Sequence, residues 1–192
     1  MRPSKCIKTT LGENICQGVY EIILVQNMGI EIREMTAADW KAVRAIYLAG
    51  IATGQATFEM EAPTWANWNQ AHLPAPRLIA TSTEDIVGWA ALSLFSARCV
   101  YAGVAEVSVY IADKARGQGV GAVLLDALVR ESEQHGIWTL QASIFLENAA
   151  SVSLHRSCGF REVGTRERIA KMNGVWRDTL LFERRSKLAG CD

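Results

Sequence analysis

The run "YIADKARGQGVGAVLLDALV", from Tyr110 to Val129, passes from a strand-like apolar stretch into an amphipathic helix through Gly117, Gly119 and Gly121. A helix that opens on glycines presents unpaired backbone N–H groups at the positive end of its macrodipole, with no side chains to hold a bulky anion away. Arg116 adds a positive charge at the same entrance. The junction therefore reads as a strand–loop–helix anion site, and it commits the chain to an α/β fold in which a central strand ends where this helix begins. Two other phosphate loops fit poorly. Gly121 is followed by Ala122 and Val123 rather than by the Lys-Ser/Thr of a Walker A loop, and the 117, 119, 121 spacing departs from the G-x-G-x-x-G dinucleotide fingerprint.

The flanking sequence supplies the other layers. Alternation of Ile30 and Ile32 with Glu31 and Arg33 predicts a strand, and Thr36 as N-cap with Val43, Ile46, Tyr47 and Ile51 at helical spacing predicts a helix. A second helix follows Pro63 and ends before Pro74 and Pro76; "RLIATS", "EDIVGWAALSLFS" and residues 102–113 then read as three strands. After the glycine loop, Val120, Val123, Leu124, Ala127 and Leu128 mark one apolar helix face that ends near Gly136. "WTLQASIF" is a strand, Asn148 to Gly159 a short capped helix, and the last stretch a hairpin turning at Asn173 and Gly174. The expected architecture is α/β, a mixed central sheet flanked by helices and ending in a β-hairpin. Residues 1–29 are set apart as an N-terminal extension, read either as a stretch upstream of a start at Met28 or as an N-terminal strand; 30–186 form the domain and 187–192 a tail.

Composition narrows the partners. With 20 Lys plus Arg against 20 Asp plus Glu, there is no basic field to recruit nucleic acid or an anionic membrane. The five cysteines lie far apart with no C-x-x-C pair and no histidine cluster, which predicts neither a disulfide framework nor a metal site and fits the cytoplasm. The longest apolar stretch, Val19 to Ile30, carries Glu21 and is short of the roughly 20 residues of a membrane span.

The glycine loop resembles the R/Q-x-x-G-x-G/A signature of the GCN5-related N-acetyltransferases (GNAT), through Arg116, Gly119 and Gly121. Five ordered segments are similar to the phosphinothricin and methionine sulfoximine acetyltransferase branch: "IREMTAAD", "ATFEMEAP", "SARCVYAGVAEVSVYI", "LENAASVSLHRSCGFREVG" and "NGVWRDTLLFERR". The resemblance implies acetyl-CoA as co-substrate, with its pyrophosphate on Arg116, Gly117, Gln118, Gly119, Val120 and Gly121. It implies that the pantetheine arm lies along Val109, Tyr110 and Ile111, where the strand splays from a parallel neighbour, and touches Asn148. It also implies a homodimer, for which Trp65 and Trp68 suggest a tryptophan-rich surface, and detoxifying acetylation of the α-amine of a small amino-acid analogue such as phosphinothricin, methionine sulfoximine or methionine sulfone.

An amine attacks a thioester only as the free base, so the site needs a proton acceptor. Glu106, inside the otherwise apolar "VAEVSVYI", is the first choice, against a reading as a solvated or salt-bridged strand glutamate. His155 is the second, against capping or packing. Tyr110 is a weaker candidate for protonating the leaving thiolate, and Cys158, three residues after His155, leaves an acyl-cysteine route open beside the direct transfer that the family implies. Asn148 has two readings, helix cap or pantetheine contact. Arg98 is the best cation for an acceptor carboxylate, with Phe58, Glu59 and Tyr101 in the implied substrate walls and Trp176 and Asp178 in the final hairpin. Two other functions stand beside this one: acetylation of another small or protein amine, and a non-catalytic acyl-CoA-sensing module that would not require Glu106 or Arg98.

Overall fold

The structure is a computed structural model and describes residues 23–25 and 29–191. Its single sheet is ordered β1-β2-β3-β4-β5-β6-β8-β7, where β1 is Ile23–Val25, β2 Ile30–Glu34, β3 Arg77–Ser82, β4 Asp85–Leu94, β5 Val104–Ile111, β6 Thr139–Phe145, β7 Arg161–Met172 and β8 Val175–Arg185. Every neighbouring pair is antiparallel except β5 and β6, which run parallel. Four α-helices cover the sheet: α1 Trp40–Ala52, α2 Trp65–Ala71, α3 Val120–Gln134 and α4 Ala149–Ser157. This is the mixed sheet with a terminal hairpin that the sequence predicts, with the parallel pair that the family resemblance implies. Of the N-terminal extension, residues 1–22 and 26–28 lie outside the described residues, while Ile23–Val25 pairs with β2 from Ile23 opposite Ile32 to Val25 opposite Ile30.

The two sheet faces carry different cores, because successive side chains of a strand point to opposite sides. On one face, Leu124, Leu125 and Leu128 of α3 are fully buried against Ala90, Leu92, Ala105, Val107 and Phe182. On the other, α1 and α2 lay Tyr47 and Trp68 over Ile79, Trp89 and Ala91. Trp68 stacks on Trp65 at 5.6 Å and meets Trp89 edge-on at 5.7 Å. The tryptophan-rich surface expected from Trp65 and Trp68 is therefore not present: Trp68 is 1% exposed and Trp65 packs against the same cluster. Seven residues is too short a helix for its apolar period to separate a core face from a docking face.

Two polar clamps fix the helices of this second face. Asp39 begins α1 by accepting hydrogen bonds from Thr36 N (2.7 Å) and Thr36 Oγ1 (2.9 Å), while Arg33 of β2 pairs with it at 2.7 Å. At the other helix, buried Arg77 donates to the carbonyls of Leu73 (2.6 Å), Asn69 (2.9 Å) and His72 (3.0 Å) and to Asn69 Oδ1, satisfying carbonyls that a helix end leaves orphaned. The Arg33 hydrogen bond, reinforced by Thr36 against the cost of burial, lowers the Asp39 pKa to about 2.

A group whose pKa is depressed on folding contributes stability above its unfolded value, near 4, and loses it as pH falls through the folded value. Asp39→Asn should cost about 2 kcal/mol at pH 7 in urea unfolding. The gap to wild type should narrow as pH falls from about 4 toward 2; a gap independent of pH would remove the ion pair as its cause.

Candidate active site

The site begins as a fork in the sheet. The parallel pairing of β5 and β6 holds for three positions only, Val104 with Thr139, Ala105 with Leu140 and Glu106 with Gln141. Beyond Glu106 the strands diverge: Val107 to Ile111 stay paired with β4, and Ala142 to Phe145 stay paired with β8. A cleft of about 1070 Å³ opens from this fork. It is lined by β5 from Glu106 to Ile111, by Ala142 to Phe145, by the glycine loop, by the start and one face of α4, and by residues 53 and 55–59 after α1.

The glycine loop at one end of the cleft has the backbone that its sequence requires. Gly117 has φ 73° and Gly119 φ 79°, the left-handed region that only glycine adopts without strain, and Gly119 is the N-cap of α3. Its carbonyl accepts from the N–H groups of Ala122 (3.0 Å) and Val123 (3.2 Å), so the N–H groups of Val120 and Gly121 open the helix without an intrahelical acceptor. Gly121 serves packing instead: a Cβ there would stand 3.2 Å from Leu154 of α4 and 3.6 Å from Ile111. Arg116 lines the cleft and pairs with Asp113 at 2.9 Å. Gln118 does not line it; its side-chain amide donates to the Lys114 carbonyl at 2.8 Å.

Glu106 lies at the last paired position of the fork, half-buried, opposite Ser93 of β4. Its carboxylate forms no hydrogen bond or ion pair with the described residues, so neither sheet register nor a salt bridge occupies it. Alternation along β5 puts Glu106, Ser108 and Tyr110 on the face of α1 and α2, and Ala105 and Val107 in the α3 core.

His155 of α4 is 2% exposed and lines the same cleft. Its Nδ1 is 2.9 Å from the Ser151 carbonyl, and because a carbonyl only accepts, Nδ1 carries the proton. The Nε2 lone pair is then the free acceptor, and it is buried without a partner among the described residues. Burial lowers the His155 pKa against the opposing pull of Ser151, which keeps the ring neutral at pH 7. A buried, unsatisfied acceptor costs about 1–3 kcal/mol, so a donor in the cleft would bind there with advantage. The amide N–H groups of a pantetheine arm are donors of that kind.

Asn148 caps α4, accepting from Ser151 N at 3.1 Å, while its Nδ2 donates to the Gln55 carbonyl at 3.1 Å. Both of its polar atoms are thus engaged, one in its own helix and one across the cleft. Tyr110 lines the cleft but is packed on Trp89 at 4.6 Å, with its hydroxyl 3.4 Å from the Ala56 carbonyl; burial raises its pKa strongly and keeps it a neutral phenol. Cys158 stands outside the lining, and burial raises the pKa of its thiol, the opposite of what a nucleophilic thiolate needs.

Among the substrate-wall residues, Phe58 lines the cleft and meets Phe145 edge-on at 4.6 Å, and Glu59 stands exposed beside it. Arg98 and Tyr101 do not line it. They sit on the exposed turn between β4 and β5, with the Arg98 guanidinium 5.4 Å from the centre of the Tyr101 ring. Trp176 is exposed under Lys171 rather than packed in the core, and Asp178 accepts from Arg168 N at 2.7 Å. Several cleft residues escaped the sequence reading, Thr179 and Glu147 among them. Thr179 of β8 has a buried hydroxyl without a partner among the described residues, and Glu147 pairs at 3.1 Å with Arg177, whose guanidinium covers Phe145. Neither belongs to a spacing motif; Thr179 is placed by its pairing with Phe145 and Glu147 by the turn that follows β6. Among the described residues there is no cluster of three or more potential metal ligands, and no helix is long and apolar enough to cross a membrane.

A forked sheet with an anion loop at one end and an uncommitted carboxylate at the fork defines an acyltransferase that uses a phosphorylated thioester. The sequence model of the acetyltransferase (GNAT) family matches residues 40–160, and the chain belongs to that family. It is 33% identical over 173 residues to the phosphinothricin N-acetyltransferase of Alcaligenes faecalis, covering 83% of this chain and 87% of the relative. It is 31% identical over 162 residues to the methionine sulfoximine/methionine sulfone acetyltransferase of Pseudomonas aeruginosa, covering 81% and 94%. Among solved structures it is similar to a Sinorhizobium meliloti phosphinothricin acetyltransferase in complex with acetyl-CoA, with TM-score 0.77, 28% identity and coverage of 86% and 92%. The protein is an acetyl-CoA-dependent N-acetyltransferase.

Replacing Gly119 by Val puts a β-branched residue at φ 79° and a side chain at the mouth of α3. Calorimetric titration should show acetyl-CoA affinity reduced at least about tenfold; unaltered affinity would sink the loop as the phosphate site.

Proposed function

We propose that the protein acetylates the α-amine of small amino-acid analogues of the phosphinothricin, methionine sulfoximine and methionine sulfone type, a detoxifying reaction carried out in the cytoplasm by a homodimer. The observation that carries this reading is the place of Glu106, a carboxylate with no internal partner at the point where β5 and β6 part. Glu106 takes the proton that an ammonium must lose, directly or through water, and the glycine loop with Arg116 holds the coenzyme's phosphates. The His155 Nε2 lone pair accepts a hydrogen bond from the pantetheine arm. Phe58 and Phe145 form a wall for the methylene stem and terminal methyl of the acceptor's side chain.

The relatives named for these amino acids support the choice of acceptor. The acceptor's carboxylate requires a cation, and Arg116 is the sole Lys or Arg among the described residues that line the cleft. Arg98 meets that need from a second copy of the chain. The turn that bears it also exposes Leu94, Phe95 and Val100, apolar surface suited to a subunit contact.

Release of free coenzyme thiol from acetyl-CoA tests the reading directly. Saturable turnover is expected with methionine sulfoximine, methionine sulfone and phosphinothricin, and none with spermidine; turnover confined to polyamines or peptide amines would overturn it. Glu106→Gln should lower kcat about 10²- to 10⁴-fold with acetyl-CoA affinity unchanged, and an undiminished rate across pH would remove Glu106 as the base.

A further inference from the structure

His72 sits at the end of α2, in a stretch of sequence that carries no catalytic motif, yet it lines the cleft together with Ser93 and Glu106. Its position is determined on three sides. The ring stacks on Trp68 at 4.1 Å and meets Trp89 of β4 edge-on at 6.4 Å. The following residue, Leu73, donates its N–H to the Leu92 carbonyl at 2.7 Å, and the His72 carbonyl accepts from Arg77 at 3.0 Å. His72 is thereby held over β4 between Trp89 and Ser93. Trp89 and Ala91 belong to the aromatic core, so Ser93 points to that same face, and Ser93 is the strand partner of Glu106.

The protonation pattern of this ring is also fixed. Nδ1 lies 2.8 Å from the Trp68 carbonyl, so Nδ1 carries the hydrogen and Nε2 holds the lone pair. Nε2 has no partner among the described residues, and it is not among the buried unpartnered atoms where His155 Nε2 is found. Arg77 from β3 is the charged side chain that acts on it, and Glu106 from β5 and Glu59 from the segment after α1 line the same cleft. Burial, with Arg77 adding to it and the Trp68 carbonyl opposing, sets the imidazole pKa below its ordinary value. The ring is therefore neutral, and a proton acceptor, at pH 7.

From this geometry we propose that His72 is a second proton-handling residue of the acetyl transfer, receiving at Nε2, directly or through water, a proton of the acceptor ammonium on the side of the cleft shared with Glu106. The role rests on N-acetyl transfer itself and holds whichever amine is accepted. The one ammonium proton that Glu106 takes passes to His72 Nε2, directly or through water, and on to solvent. The free amine forms the C–N bond as the C–S bond breaks, and the proton shed by the acylated nitrogen ends on the departing sulfur. His155 has the same neutral tautomer, but its buried Nε2 belongs to α4 and is the acceptor assigned to the pantetheine arm.

His72→Phe keeps a ring against Trp68 and removes the nitrogen. Its kcat/KM should fall about 10²-fold, with a changed acid limb in the pH profile, unchanged acetyl-CoA affinity and a melting temperature near wild type. In His72→Ala, added imidazole should restore turnover. Independently of turnover, 15N NMR of histidine-labelled protein should show an Nδ1–H ring titrating below about 6.5. A folded His72→Phe enzyme with the wild-type rate and pH profile would overturn the role. So would an Nε2–H ring, or the absence of imidazole rescue if the Phe variant does not fold.

Discussion

Backbone N–H and C=O groups inside a protein need partners, and beyond Glu106 the edge of β5 that faces β6 has given them up. That edge is a linear array of donors and acceptors bounded by two well-paired sheet halves. An extended amide-bearing chain such as pantetheine can complete it much as an added strand would. The rest of the site follows from this one parting. The β4–β5 pairing brings Ser93 beside Glu106, the strand's exit leads into the loop at Gly117, and the pairing of β6 with β8 sets Phe145 and Thr179 on the far wall.

Helices pack against both faces of the forked sheet. On one face α3 wedges Leu124 and Leu128 beneath β4 and β5, and Gly121 lets α4 approach closely enough for Leu154 to close the floor. On the other face α1 and α2 carry the aromatic cluster, and the segment after α1 is tied across the cleft at two points. Asn148 donates to the Gln55 carbonyl, and Arg177 donates to that of Gly54 at 3.3 Å. These bonds tie the segment after α1 to the start of α4 and to β8, so the two walls of the cleft are held at a fixed separation.

Elements with a clear period or a strong turn signal could be read from the sequence. The strand alternation at Ile30 and Ile32, the apolar face of α3, and the Asn173–Gly174 turn, with φ 50° and 79°, appear where the residues demand them. Glu106 and the glycine loop were legible for a related reason: a charge inside an apolar strand and glycines at a helix mouth both violate the local pattern. His72 and Thr179 were not, because each is an ordinary residue whose significance depends on which strand lies beside it. Arg98 shows the converse limit. It is close in sequence to the strand that carries Glu106, but it stands on an exposed turn and does not line the cleft of its own chain.

Hydrogen–deuterium exchange with and without acetyl-CoA tests the fork most directly. If the coenzyme completes the open edge of β5, its addition should slow exchange in peptides spanning Val107 to Ile111 and Gly117 to Ala122, and leave β2 and β3 unchanged. Protection confined to other elements, or saturating binding with no slowing along β5, would contradict the strand parting as the coenzyme's seat.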